Sequence, residues 1–313
     1  MLSRWVLFFA ASSAFAASLV NDIRVLVSRH DLTAAENLAH SYQTQVGATP
    51  ELAAGLSFIA RGALEAGQAD RAESYATATR NMALGLVHNG RLDDNPWLPL
   101  ALGASIEVQA ELMVKRGERA QAVTFLREQL VTYSNTSIAE RIRKNINLLS
   151  MEGKPAPRLD AAEWLGAKPP TLAGLRGHPV LLFFWAHWCS DCKGEAPILT
   201  SVMKTYGPKG LIVVAPTKFY GYVARGEDAA PAVERPYIDQ VRRQFYPILE
   251  NTPIPLSASN FVTYGASTTP TIVLLDHAGI VRLYHPGAMQ EQELAARIEQ
   301  LFRDHAAKSG SAL

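Results

Sequence analysis

Trp188-Cys189-Ser190-Asp191-Cys192 contains the only two cysteines of a 313-residue chain. The pair stands where a continuous apolar run, Pro179 to Trp185, gives way to a helix expected from about Ser190 to Tyr206. An apolar run without polar alternation reads as a strand buried on both faces, at the centre of a sheet. Two thiols separated by two residues can close a small, reversible disulfide. With no further cysteine present, neither belongs to a structural disulfide framework, and the chemistry indicated is thiol–disulfide exchange.

The segments around this junction alternate between strand and helix. Leu211 to Ala215 reads as the next buried strand. Residues from about Pro216 to Phe261 exceed a simple connection and hold one expected helix, Tyr237 to Phe245, between proline-rich loops. Thr271 to Leu275 and Ile280 to Tyr284 should form a hairpin around Asp276-His277-Ala278-Gly279. Leu294, Ile298, Leu301 and Phe302 are spaced as the buried stripe of a last amphipathic helix. The order predicts a mixed central sheet flanked by helices over residues 159–313.

The first half reads differently. Leu19, Ile23, Leu26 and Val27 share one helical face, and small residues recur four apart at Ala35 and Ala39, Ala72 and Ala76, then Ala122 with Leu126. The last two pairs follow turn glycines, Gly67 and Gly117. This predicts an all-α, repeat-like domain over 17–150, similar to tetratricopeptide-type hairpins but with irregular spacing, interrupted around Gly90, Pro96 and Pro99. Gly153, Pro155 and Pro157 mark a linker, 151–158. Arg4, the apolar stretch Trp5 to Ala11 and the small-x-small pattern Ala14-Phe15-Ala16 predict a secretory leader at 1–16. The alternative is an uncleaved anchor, although Trp5 to Val20 is short of the about 20 apolar residues a span needs. The absence of a cysteine near the cleavage pattern argues against a lipoprotein. The expected product is soluble and exported, in a periplasmic or similar extracytoplasmic compartment where disulfides persist. A net charge of +1 gives no electrostatic reason to expect nucleic acid.

Phe184-Trp185-Ala186-His187-Trp188-Cys189-Ser190-Asp191-Cys192 resembles the active-site signature of thioredoxin-fold proteins. Its continuation, Lys193-Gly194-Glu195-Ala196-Pro197, looks like the exported TlpA/ResA-like branch. Leu172 to Val180 resembles that family's entry into its first core strand. Thr269-Pro270 with Thr271 to Asp276 resembles the segment that opens with the fold's cis-proline. The resemblance runs from about Leu159 to the C-terminal helix and leaves the helical half outside it. It implies a thioredoxin fold and an oxidoreductase acting on cysteine pairs of other exported proteins. By analogy alone it extends to apocytochromes awaiting haem and to a membrane-bound electron donor.

The residues themselves assign roles. Cys189, at the head of a helix, is the expected nucleophile, because unpaired N–H groups there favour a thiolate. Cys192, one turn further on the same face, is the expected resolving thiol. Asp191 adds negative charge beside the pair, which would make the couple more reducing unless solvent screens it. Glu195, three residues after Cys192, should have a raised pKa if buried and could carry the Cys192 proton, a role the resemblance also implies. Pro197 should kink the helix. Thr269 and Pro270 are the expected substrate-binding corner, with Pro253 and Pro255 as competing cis candidates. Trp188 is expected as an apolar rim, Trp185 as core and His187 as an exposed side chain. No metal and no cofactor are expected, since zinc would need further Cys or His ligands at suitable spacing. Two other functions remain: a thiol peroxidase, which would consume peroxide, and a helical scaffold whose second domain is a passenger.

Overall fold

The computed structural model describes residues 19–87 and 91–310. The expected leader, 1–16, and Gly90 lie outside the described residues. The chain divides into two compact units between Ile142 and Arg143.

The first unit is helical. It comprises α1 (19–28), α2 (Leu32–Val46), α3 (Pro50–Glu65), α4 (Ala69–Leu86), α5 (Trp97–Lys115), α6 (Arg119–Thr132) and the start of α7 (Ala139–Ser150). Local chemistry sets the starts. Asp31 accepts from the Ala34 N–H, and Thr49 accepts from the Leu52 N–H ahead of Pro50. Gly67 and Gly117, after α3 and α5, have positive φ. Ala35, Ala39, Ala72, Ala76, Ala122 and Leu126 are all buried, so the small residues lie where helices pack. A Cβ added at Gly55 would lie 2.6 Å from Ile23 Cδ1, so the Ile23 side chain of α1 packs directly on the bare backbone of α3. Pro96 precedes α5 and Pro99 falls in its first turn, so the expected interruption is the start of a helix.

The second unit carries the sheet. Its strands are β1 (Trp164–Gly166), β2 (Val180–Phe184), β3 (Ile212–Val214), β4 (Pro253–Pro255), β5 (Thr271–Leu275) and β6 (Val281–Pro286). Its helices are α8 (Ser190–Gly194), α9 (Ala196–Tyr206), α10 (Pro231–Phe245), α11 (Ala258–Tyr264) and α12 (Glu291–Gly310). The main sheet runs β3-β2-β5-β6, with β2 parallel to β3 and antiparallel to β5, and β5 antiparallel to β6. It is therefore the mixed sheet expected. All five residues of β2 and of β5 are buried, because helices and loops cover both faces. One face packs on Trp185, Leu199, Ile238, Tyr246 and Ile298; the other on Phe261, Tyr264 and Met151. Asp276 shapes the hairpin turn, its Oδ1 accepting from the Ala278 and Ile280 N–H groups.

Three expectations change. The expected boundary at 150 moves into α7, because the end of that helix belongs to the sheet unit: Asn147 Nδ2 donates to Tyr264 O at 2.8 Å, and Met151 packs with Val180. The expected linker is held as an added edge: Gly153 N–H donates to Val281 O, and Val281 N–H to Lys154 O. Helix α10 begins at Pro231, six residues before the expected start, and carries Pro236 inside it. Its buried Arg242 donates to Leu249 O and Glu250 O, each at 3.0 Å, and to Asp239, which fixes the turn before β4.

Candidate active site

Strand β2 delivers the chain to the site, and its exit is locked. Trp185 is fully buried and donates its indole N–H to Ala215 O at 3.1 Å. Thr217 Oγ1 donates back to Trp185 O at 2.9 Å. These bonds tie the ends of β2 and β3 together, so the next residues leave the sheet in one direction. Cys189 then caps α8: its Sγ accepts the Cys192 N–H at 3.0 Å. The two sulfurs are bonded to each other, with Cα atoms 5.3 Å apart. Cys192 is completely buried and Cys189 is 3% exposed, so only the first sulfur approaches the surface.

Thr269 O lies 3.4 Å from Cys189 Sγ, and the Thr269–Pro270 bond is cis. Pro253 and Pro255 lie in β4. The fold thus brings together Cys189, Cys192, Thr269 and Pro270 across 80 residues of sequence. In the dithiol the Cys189 S–H can donate to that carbonyl; the thiolate cannot, and keeps the Cys192 N–H. Trp188 stands beside them, 49% exposed, its ring edge-on to Tyr220 at 5.6 Å. Asp191 is exposed, which leaves its charge open to screening.

Glu195 occupies the break between α8 and α9, where Pro197 sits in the first turn of the second helix. The side chain is 2% exposed. Its Oε1 accepts the Met289 N–H at 2.6 Å, whereas Oε2 is buried without a hydrogen-bond partner. Burial pushes its pKa up, against the smaller opposing effects of the Met289 N–H and His285. The buried Tyr246 hydroxyl also lacks a partner and is pushed up by burial and by the Glu195 charge. The linkage to stability has a definite sign. A carboxyl with a raised native pKa favours the folded state fully below its ordinary value of 4.5. That contribution is lost as pH rises through the native pKa. The stability of wild type minus Glu195→Gln, from denaturant unfolding, should therefore fall from pH 4.5 upward. Each unit of elevation removes about 1.4 kcal/mol. A difference that stays flat from about pH 4 to 8 would count against a Glu195 whose pKa is raised by burial.

His187 departs from expectation. It is 1% exposed, with Nε2 3.2 Å from Glu234 Oε1. Tyr220, Tyr222 and Tyr237 surround the ring edge-on at 5.5, 5.4 and 5.3 Å. Burial outweighs the Glu234 carboxyl and holds the imidazole below its ordinary pKa, so it is neutral at pH 7. The sequence reads it as exposed because its partner lies 47 residues away. Glu234 and the tyrosines were not singled out in the sequence; Pro231 with Glu234 in the following turn is a helix-start signal that pointed there. Among the described residues, no three His, Cys, Asp or Glu side chains converge as a metal-ligand set.

Comparison with known proteins agrees with this arrangement. A thioredoxin-like domain family matches residues 170–302. The thiol:disulfide interchange protein DsbE of Pseudomonas fluorescens biotype C is 30% identical over 160 residues, covering 48% of this chain and 78% of the relative. DsbE of Xylella fastidiosa (strain Temecula1) is 27% identical over 156 residues, 49% of this chain and 70% of the relative. The thiol-disulfide oxidoreductase ResA of Bacillus anthracis is 24% identical over 151 residues, 48% of this chain and 78% of the relative. With a buried sulfur pair capping a helix beside a cis-proline, and with these relatives, the chain belongs to the thioredoxin-like thiol-disulfide oxidoreductases of the DsbE and ResA type.

Proposed function

We propose that the protein works outside the cytoplasm and reduces disulfides of other exported proteins. The observation that supports the exchange chemistry in this reading is the asymmetry of the sulfur pair. Cys189 Sγ receives an N–H bond at the head of α8 and approaches the surface, and Cys192 is sealed behind it. Such a pair starts exchange with the outer sulfur and finishes it with the inner one.

In the reducing direction, the Cys189 thiolate attacks one sulfur of the client disulfide. One S–S bond forms, the client S–S bond breaks, and the departing client thiolate takes a proton. Cys192 then loses its proton, which the Glu195 carboxylate can accept, and attacks Cys189; the Cys189–client S–S bond breaks, and the released client thiolate takes that proton. The client leaves as a dithiol, two electrons and two protons richer, and Cys189–Cys192 is again a disulfide. A membrane-bound donor would restore the dithiol. The Thr269 carbonyl beside Cys189 offers an acceptor for strand-like pairing by the client backbone, and Trp188 offers an apolar rim. Export is supported by the leader-like residues 1–16. The helical half is the part we assign to holding a client or the donor.

The direction has a direct test. Equilibration with glutathione or dithiothreitol buffers should give a potential close to about −270 mV, the thioredoxin range. A value near about −120 mV, the range of strong periplasmic oxidants, overturns the reducing assignment.

A further inference from the structure

The pair His187–Glu234 takes no part in the exchange steps, yet it is among the most deeply buried polar groups near the sulfurs. Glu234, 0% exposed on the first turn of α10, makes three contacts. Its Oε1 accepts the Tyr220 N–H at 2.6 Å and faces His187 Nε2; its Oε2 accepts the Gly221 N–H at 2.9 Å. A buried carboxyl is tolerated only when its oxygens are satisfied in this way. One side chain thereby joins two segments distant in sequence: the turn that presents Trp188 and Cys189, and the loop that carries Tyr220 and Tyr222. The loop's aromatic rings then stand against that turn. Trp188 meets Tyr220 edge-on, and Tyr220 and Tyr222 lie 6.4 Å apart. Trp188 is half exposed and both tyrosines are partly so, which makes an open aromatic wall continuous with the reactive sulfur.

We propose that Glu234 is a positioning residue that holds this wall in place, and that the wall selects clients whose reactive cysteine has an aromatic or large apolar neighbour. The proposal rests on Cys189 being the attacking sulfur. A ring edge-on to Trp188 or Tyr222 gains contact there, whereas a serine or aspartate neighbour gains none. The wall sets how well a client binds and leaves the sulfur chemistry alone, so its loss appears in KM.

The test uses the full chain in its dithiol form and two synthetic disulfide peptides that differ only in the residue after the reactive cysteine, phenylalanine or serine. Dithiothreitol supplies the electrons for turnover. Wild type should favour the phenylalanine peptide by about tenfold in kcat/KM. Glu234→Ala should raise KM for that peptide by about tenfold and erase the preference, with kcat and the serine peptide changed less than about twofold. Glu234→Gln, which keeps one acceptor oxygen for the Tyr220 N–H, should retain part of the preference. Wild type without preference overturns the proposal, as does a Glu234→Ala enzyme that loses kcat equally on both peptides. If Glu234→Ala does not fold, Tyr220→Ala decides: a preference that survives removal of the ring overturns the wall. Ellman's reagent separates the two levels. A wild-type dithiol inert to it removes Cys189 as attacking sulfur, and a reactive one without peptide preference removes the wall alone.

Discussion

Replacing Cys189 with serine should abolish disulfide reduction, lowering kcat/KM toward the uncatalysed rate by at least roughly 10⁴-fold. A hydroxyl cannot form the mixed disulfide, and Cys192, fully buried behind the first turn of α8, cannot take over the attack. Cys192→Ala should behave differently. Its outer sulfur keeps its place as the cap of α8, since the bond it accepts comes from a backbone N–H that alanine also has. The first step therefore survives and the second does not. One client per protein should accumulate as a mixed disulfide, visible as a mass adduct that dithiothreitol releases. The trapped proteins would give the clients directly. Wild-type turnover by Cys189→Ser, or a Cys192→Ala protein that never forms adducts, would overturn the order of the two sulfurs.

Most of the reaction centre was legible before the fold was known, because its signals are local. The apolar run Val180–Phe184 followed by two cysteines places the pair at the mouth of a buried strand, and the structure puts it there. Thr269–Pro270 could be matched to the site only through the resemblance; nothing in its own neighbours says that it meets Cys189 across 80 residues. Glu195 was readable from helical spacing, although its depth was not. Its burial depends on the segment carrying Met289, whose N–H it binds. His187 shows the limit most clearly. Between Ala186 and Trp188 it looks like a surface residue, and only the folding of 216–261 over it reveals the partner. That insertion resisted reading for a physical reason. Its prolines, taken one at a time, signal breaks, yet Pro231 occupies the first helical position, where a missing N–H costs little. The strands β1 and β4, three residues each, are also too short to show a period.

Gly265→Ala should destabilise the sheet unit by about 2–4 kcal/mol, and Gly279→Ala by only about 1 kcal/mol. Both glycines have positive φ, 60° and 76°, so alanine suffers the same left-handed backbone at each. They differ in what surrounds them. A Cβ at Gly279 would meet nothing within 4 Å. At Gly265 it would lie 2.5 Å from Lys144 N, 2.8 Å from Arg143 C and 2.9 Å from Lys144 Cα. These are backbone atoms of α7, which cannot turn aside as a flexible side chain would. The neighbouring bonds leave little room to yield: Tyr284 Oη donates to Tyr264 O at 2.8 Å and to Gly265 O at 3.1 Å, and Asn147 Nδ2 donates to Tyr264 O. The extra cost at Gly265 is therefore overpacking added to conformational strain. For a unit of this size each kcal/mol lowers Tm by about 2–4 °C. Thermal unfolding followed by tryptophan fluorescence should thus fall by about 4–16 °C for Gly265→Ala and by about 2–4 °C for Gly279→Ala. Trp164, Trp185 and Trp188 report on this unit. Gly265 also opens the segment that reaches Thr269, so any backbone shift that relieves the clash moves the carbonyl beside Cys189. The Gly265→Ala protein should then lose exchange rate as well as stability, whereas Gly279→Ala, at the far end of the β5–β6 hairpin, should lose stability alone. Equal Tm losses for the two variants would mean that α7 does not pack against Gly265 as closely as these distances require.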